Sequence, residues 1–145
     1  MKYRGFSIPF VLAVTIALWI YEVHADFHIL RAGEIGFPPN TIACPSDFYN
    51  CYCFMLGQDQ VEANFGSIED GNFQLAGGLC GITQPLDFYR AADGHFDFYI
   101  SGGDGSVQGS CYDNSASGGG NCGKFVHSLF EYQEALVCYS YICNP

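Results

Sequence analysis

Hydrophobic and polar residues alternate most clearly in the middle of the chain. The triplet Asp-Phe-Tyr occurs at 47–49, 87–89 and 97–99, and the last two copies flank Asp93-Gly94. Asp-Gly is favoured in two-residue type I′ turns, so the pattern predicts a β-hairpin centred on this pair.

The predicted hairpin has an apolar face and a mixed face. Its register places Arg90 opposite Asp97 and Tyr89 opposite Phe98. Alternation then assigns a set of residues to the core, namely Tyr89, Ala91, Phe96, Phe98 and Ile100. The partly exposed face carries Phe88, Arg90, Asp97 and Tyr99. A return strand over 107–112 adds Val107 and Cys111 to the apolar face and completes a three-stranded meander.

The two flanks of the meander give weaker patterns. Residues 26–31 (DFHILR) alternate and predict a first strand, whereas 113–121 is rich in Gly, Ser and Asn and predicts a loop. Apolar residues at helical spacing predict a short helix over 125–134, followed by a strand over 137–143. The fold class is therefore mainly β (a β-rich α+β domain), a small antiparallel sheet arranged as a sandwich or barrel.

The first 25 residues have the pattern of a cleavable signal peptide. Lys2 and Arg4 precede an apolar run over 8–20, and Val23-His24-Ala25 suits a signal peptidase. The run is too short to span a bilayer. We expect residues 1–25 to be removed, leaving one domain over 26–145 that is secreted as a soluble extracellular monomer without a membrane anchor.

The cysteine count indicates a disulfide-stapled domain. All eight cysteines follow the leader, at Cys44, Cys51, Cys53, Cys80, Cys111, Cys122, Cys138 and Cys143. An even number in an exported chain predicts four disulfides but leaves their connectivity open. Cys51 and Cys53 should have different partners. Cys138 and Cys143 have opposite parity in an unbroken strand, which indicates different partners or a bulge between them. Cys111 and Cys122 bracket the predicted loop and are the favoured pair.

Net charge disfavours two classes of partner. Of 15 acidic and five basic residues the leader takes only Glu22, Lys2 and Arg4, which leaves a formal charge of −11. Such a field repels phosphate backbones and anionic lipids, so we expect neither nucleic acid nor bare membrane as a partner.

Catalysis has one set of candidate residues. The predicted hairpin places His95, Arg90 and Asp97 close together, as a histidine–carboxylate pair with a cation for developing negative charge. His28 and His127 are the other histidines of the mature chain. A small secreted hydrolase, ribonuclease-like or glycan-cleaving, is the alternative that they support, although no local catalytic motif accompanies them.

Metal and cofactor binding have less support. The cysteine spacings do not form zinc knuckles, and the glycine turn over 102–106 has too few acidic residues for a calcium loop. We expect no metal and no cofactor.

Aromatic residues favour a binding role. They make up 17% of the chain, and alternating strands cannot direct every tyrosine inward. Tyr89, Tyr99 and Tyr112 are the candidate binding residues, for an extracellular protein or a glycan.

The whole combination resembles the small secreted cysteine-rich proteins of filamentous fungi, many of which are effector candidates. The resemblance rests on the leader, the eight cysteines, the acidic balance and the aromatic β pattern ending in VCYSYICNP (137–145). It implies a non-enzymatic extracellular protein that binds a host or competitor component through an exposed aromatic β surface. A soluble glycan-binding module is a further alternative.

Overall fold

The computed structural model describes residues 25–48, 51, 53, 60–125 and 128–143, so the predicted leader up to residue 24 and His127 lie outside the described residues. The described chain is built from antiparallel strands and two short 3-10 turns. The strands are β1 (Phe27–Glu34), β2 (Asn40–Pro45), β3 (Val61–Ser67), β4 (Asn72–Leu75), β5 (Leu86–Arg90), β6 (Phe96–Ile100), β7 (Val107–Asp113), β8 (Gly119–Phe125) and β9 (Ser128–Ser140).

Eight of these strands close into a barrel. The strands β1 to β7 pair in chain order, each with its neighbour in that series, and β9 pairs with both β7 and β1. The other half of β9 extends past the barrel and pairs with β8. The predicted antiparallel β fold is confirmed in its barrel form, which joins the two edges that an open sheet would leave unpaired.

The predicted helix over 125–134 is wrong. Residues 128–134 belong to β9, whose backbone pairs with β1 on one side and with β8 on the other. Helical spacing of Leu129, Tyr132 and Leu136 is compatible with a strand because the β1–β9 pairing shifts register beside Ile29/Leu30. Pairing on both edges outweighs a local pattern that fits either structure.

The β5–β6 hairpin forms with a register one residue away from the predicted one. The chain turns through a three-residue loop, in which the Ala91 N–H donates to the His95 carbonyl at 2.7 Å and Gly94 has a φ of 98°. Arg90 therefore pairs with Phe96 instead of Asp97. A one-residue shift exchanges the two faces of a strand.

The shifted register exchanges Phe88 and Tyr89 between core and surface. Phe88 is fully buried opposite Phe98, whereas Tyr89 is 53% exposed. The core assignment of Phe96 and Phe98 on β6 is confirmed. On β7 Cys111 is buried as predicted, but Val107 is exposed because the β6–β7 register shifts between Phe98 and Tyr99.

Phenylalanine rings fill the barrel. Phe73 stacks on Phe88 with centroids 4.4 Å apart, Phe88 stacks on Phe98 at 5.1 Å, and Phe27 meets Phe98 edge-on at 5.4 Å. Gly109 on β7 leaves space for these rings, since a Cβ there would lie 2.7 Å from the Phe98 ring. Such aromatic pairs add about 0.5–1.5 kcal/mol each beyond their buried area.

A smaller apolar cluster lies on the outer side of the barrel wall. Ala43 of β2 belongs to the inner core, so its neighbours Ile42 and Cys44 point outward by alternation, where they pack with Leu30 and Cys53. The Cys44–Cys53 disulfide covers this outer cluster. The barrel wall between β1 and β2 is thus apolar on both sides.

All eight cysteines form disulfides, and the predicted Cys111–Cys122 bridge is wrong. The bridges are Cys44–Cys53, Cys51–Cys122, Cys80–Cys143 and Cys111–Cys138. The separate partners predicted for Cys51 and Cys53, and for Cys138 and Cys143, are confirmed. Cys111 and Cys138 are direct cross-strand partners in β7 and β9, which a loop-spanning bridge to Cys122 would prevent.

The two adjacent residues Phe88 and Tyr89 provide a test of the hairpin register. We expect Phe88→Ala to lower the free energy of unfolding by about 3–5 kcal/mol, because it leaves a cavity in the aromatic core. Tyr89→Ala should cost less than about 1 kcal/mol, because the ring is half exposed. Urea denaturation of both variants measures the difference, and equal losses would contradict the observed register.

Candidate functional site

One outer surface of the barrel gathers tyrosines and carboxylates. In β5, β6, β7 and β9 a single cross-strand row joins Tyr89, Asp97, Ser110 and Tyr139, all pointing away from the core. We call the whole surface the aromatic–acidic face. Its members are Asp87, Tyr89, Asp93, His95, Asp97, Tyr99, Ser110, Tyr112 and Tyr139.

The rings of this face contact one another. Tyr89 and Tyr99 have centroids 5.9 Å apart, and Tyr112 lies 6.0 Å from Tyr139. His95 stacks on Tyr112 at 5.4 Å with nearly parallel planes. Tyr89 is 53% and Tyr112 is 47% exposed. The three predicted binding residues, Tyr89, Tyr99 and Tyr112, therefore lie on one surface and present aromatic area to solvent.

Hydrogen bonds hold the carboxylates of the face in place. Asp97 Oδ1 accepts from Ser110 Oγ at 2.7 Å and lies 3.1 Å from His95 Nε2. Asp87 Oδ1 accepts from Gln74 Nε2 at 2.6 Å. Asp93 binds the other ring nitrogen of His95, Nδ1. Both imidazole nitrogens thus face carboxylate oxygens, an arrangement that favours the doubly protonated ring.

The two aspartates raise the pKa of His95 above its ordinary value. Desolvation lowers this pKa, but hydrogen bonds to Asp93 and Asp97, together with their negative charge, outweigh it. A raised pKa means that the folded state binds a proton more tightly than the unfolded state. The resulting stabilisation is complete below the ordinary pKa and is lost as pH rises through the pKa in the folded protein.

The structure separates the three residues of the catalytic hypothesis. His95 and Asp97 are in contact, but the Arg90 guanidinium donates to the Ile68 carbonyl and lies 5.0 Å from the centroid of the Phe96 ring. Arg90 therefore covers one end of the barrel core. The one-residue register difference explains this position, because it pairs Arg90 with inward-facing Phe96.

A second histidine–carboxylate contact was missed by sequence reasoning. His28 Nδ1 lies 2.5 Å from Glu134 Oε1, and Ser117 Oγ donates to Glu134 Oε2. Glu134 is buried, with 3% of its surface exposed. Since His28 and Glu134 are 106 residues apart in the chain, only the β1–β9 pairing brings them together. This network connects two strands and the loop before β8.

In the described part of the chain, no group of three or more histidine, cysteine or acidic side chains converges to hold a metal ion. No helix among the same residues has the length and hydrophobicity needed to cross a bilayer.

Comparison with other proteins gives no relative from which a function follows. No protein-family model, curated protein or solved structure shows significant similarity to this chain.

The pair of aspartates around His95 yields a titration test. We expect Asp97→Asn to lower the pKa of His95, because the variant removes one negative charge and one charge-assisted hydrogen bond. NMR titration of the His95 ring measures this shift, and Asp104→Asn in the exposed 101–106 turn is the control.

Stability should follow the same titration. The difference in free energy of unfolding between wild type and Asp97→Asn should shrink as pH rises from about 6.5, the ordinary histidine pKa, through the higher pKa of the folded protein. A difference that stays constant over this range would show that Asp97 does not act through His95.

Proposed function

We propose that this protein is a secreted, effector-like interaction protein whose aromatic–acidic face binds a basic protein of a host or competitor. The observation that supports this most directly is the aromatic–acidic face itself, where exposed tyrosines and hydrogen-bonded carboxylates lie together on adjacent strands. Four disulfides support an oxidising extracellular environment, since such bonds persist outside reducing compartments. The predicted leader would deliver the chain there.

A rigid scaffold favours binding by this face. Its tyrosines project from strands whose other sides pack into the phenylalanine core, and the Cys111–Cys138 disulfide links β7 to β9 beneath it. Ring contacts and hydrogen bonds restrict the side chains further. Little conformational entropy is then lost when a partner binds, which strengthens association.

Charge complementarity points to a basic partner. Within the described residues, no lysine or arginine pairs with Asp87, Asp93 or Asp97. Arg31 instead contacts Glu69, and Arg90 contacts the Ile68 carbonyl. The three carboxylates face at most one positive charge, that of the His95 ring between Asp93 and Asp97, so the face keeps a negative balance. A lysine or arginine of a partner would meet this negative charge and the tyrosine rings beside it. Each cation–π contact contributes about 0.5–1 kcal/mol at an exposed site.

The hydrolase alternative fits this geometry less well. A general base needs a ring nitrogen directed at the substrate, whereas both nitrogens of His95 face Asp93 and Asp97. The pair also lies on the outer wall of the barrel, and Arg90 is directed elsewhere. The arrangement suits a charged contact surface better than a proton-transfer site.

Binding of a basic peptide tests the proposed function. The probe is an alternating glycine–arginine peptide, and its uncharged counterpart contains citrulline instead of arginine. We expect the arginine peptide to bind the full chain and the double variant Tyr89→Ala/Tyr112→Ala to weaken it about tenfold, from the loss of two cation–π contacts. Isothermal titration calorimetry measures the affinities.

Matched controls separate this face from general electrostatic attraction. Phe65→Ala removes a ring that is 68% exposed on β3, and Asp104→Asn removes a carboxylate of the 101–106 turn, whose partner is the Ser106 N–H and not a residue of the face. Both should leave the affinity nearly unchanged, while Asp97→Asn should weaken it. Equal losses in control and face variants, or equal binding of the citrulline peptide, would refute the proposal.

A further inference from the structure

Beyond the barrel, strands β1, β9 and β8 continue as a three-stranded ribbon with a groove along one side. The register aligns the groove residues in two cross-strand rows. The first row is Arg31, Gln133 and Gly119, and the second is Gly33, Glu131 and Asn121. Phe37, in the loop between β1 and β2, forms one wall of the groove.

The groove has the size of a ligand site, and glycine occupies one position in each of its two rows. Its volume is about 470 Å³, within the range of about 300–1,000 Å³ that is usual for small-molecule sites. A Cβ at Gly119 would lie 2.2 Å from the Tyr132 carbonyl oxygen, so this position excludes a side chain. The glycine positions of the two rows therefore form the shallow floor of the groove, and the longer polar side chains of the same rows rise beside it.

The groove lining combines hydrogen-bonding groups of both kinds with an aromatic wall. Gln133 and Asn121 each carry a donor and an acceptor, Arg31 carries donors, and Glu131 carries acceptors. These polar side chains surround a trough of glycine backbone, and Phe37 is 66% exposed beside it. Hydroxyl groups can bond to such a set, while an apolar ring face can pack on Phe37.

Charge in the groove disfavours ions of either sign. An anionic ligand would approach Glu131, and a cationic one would approach Arg31, whose guanidinium contacts Glu69. A neutral ligand with many hydroxyl groups avoids repulsion by either Glu131 or Arg31 and can form hydrogen bonds with all four polar side chains. We propose that this groove binds a neutral oligosaccharide, at a site separate from the aromatic–acidic face.

Three classes of sugar polymer test the ligand chemistry on the full chain. The probes are neutral chitin and β-glucan oligomers, cationic chitosan oligomers and anionic oligogalacturonate, with binding measured by calorimetry. We expect at least one neutral oligomer to bind and the charged ones to bind more weakly or not at all. Tighter binding of either charged class, or no binding of any neutral oligomer up to millimolar concentration, overturns the inference.

Single substitutions test the location. Phe37→Ala and Gln133→Ala should each lower the affinity for the neutral oligomer by about fivefold or more, as expected for the loss of one stacking or hydrogen-bonding partner. Phe65→Ala is the matched control for an exposed ring outside the groove, and thermal denaturation checks that each variant is folded. Unchanged affinity in folded Phe37→Ala and Gln133→Ala would refute the site.

The same measurements separate this inference from the proposed function. The double variant Tyr89→Ala/Tyr112→Ala should leave the affinity for the oligosaccharide unchanged and lower the affinity for the arginine peptide. If sugar binding falls with the tyrosines instead of with Phe37, the groove assignment fails and the aromatic–acidic face becomes the glycan site. If the peptide alone fails to bind, the groove assignment stands and the proposed function falls.

Discussion

Pairing between the first and the last strand is the constraint on which the rest of the structure depends. β1 and β9 are paired from Phe27–Cys138 at one end to Glu34–Phe130 at the other. These contacts join segments about a hundred residues apart, so loop-closure entropy opposes them until the intervening strands have formed. Both candidate binding surfaces include side chains of β9, and the groove also needs β1 beside it to align its two rows.

Buried polar contacts and disulfides reinforce the closure. The Asp26 carboxylate, 1% exposed, accepts from the Cys143 N–H at 3.0 Å and from Ser140 Oγ. Cys80–Cys143 attaches the segment that follows β9 to the 3-10 turn after β4, and Cys111–Cys138 attaches β9 to β7. In the chain-entropy account, cross-links that close loops of this length contribute about 3–4.5 kcal/mol each. Backbone strand pairing, buried side-chain hydrogen bonds and disulfides therefore all hold the barrel closed.

The register shift between Glu134 and Leu136 divides β9 into two functional halves. Beyond it, the second half completes the barrel, whereas the first half carries the groove residues Glu131 and Gln133. On the same edge of β9, β7 and β8 lie end to end, and the Asn114 N–H of the loop between them donates to the Ala135 carbonyl. One long strand thereby serves both the core and a binding groove.

The parts of the fold that local chemistry specifies were predictable. Alternation and turn residues identify the β5–β6–β7 meander, and the cysteine count identifies the disulfides. The register of the β5–β6 hairpin was not predictable, because Asp93-Gly94 suits both a two-residue turn and a three-residue loop with glycine at positive φ. β8 contains three glycines, and its pairing with β9 is the property that makes it a strand.

For the candidate site, the exposed positions were predictable but their partners were not. Alternation indicates that the tyrosines cannot all join a small core, which predicts an aromatic surface. Tyr89 lies on that surface because the β5–β6 register is one residue away from the predicted one. The groove has no sequence signal, since Arg31, Glu131 and Asn121 are surface-type residues that only the β1–β9–β8 pairing aligns.

The position of Asp26 beside Cys143 has a practical consequence for orientation. The two residues lie at the barrel end where β1 starts and β9 finishes, whereas Gly33 and Glu131 lie about 20 Å farther along the strands. A fusion partner, a surface anchor or a sensor chip joined near either residue would hold the molecule by the same pole. The groove would then lie toward the end of the molecule that faces away from the attachment point.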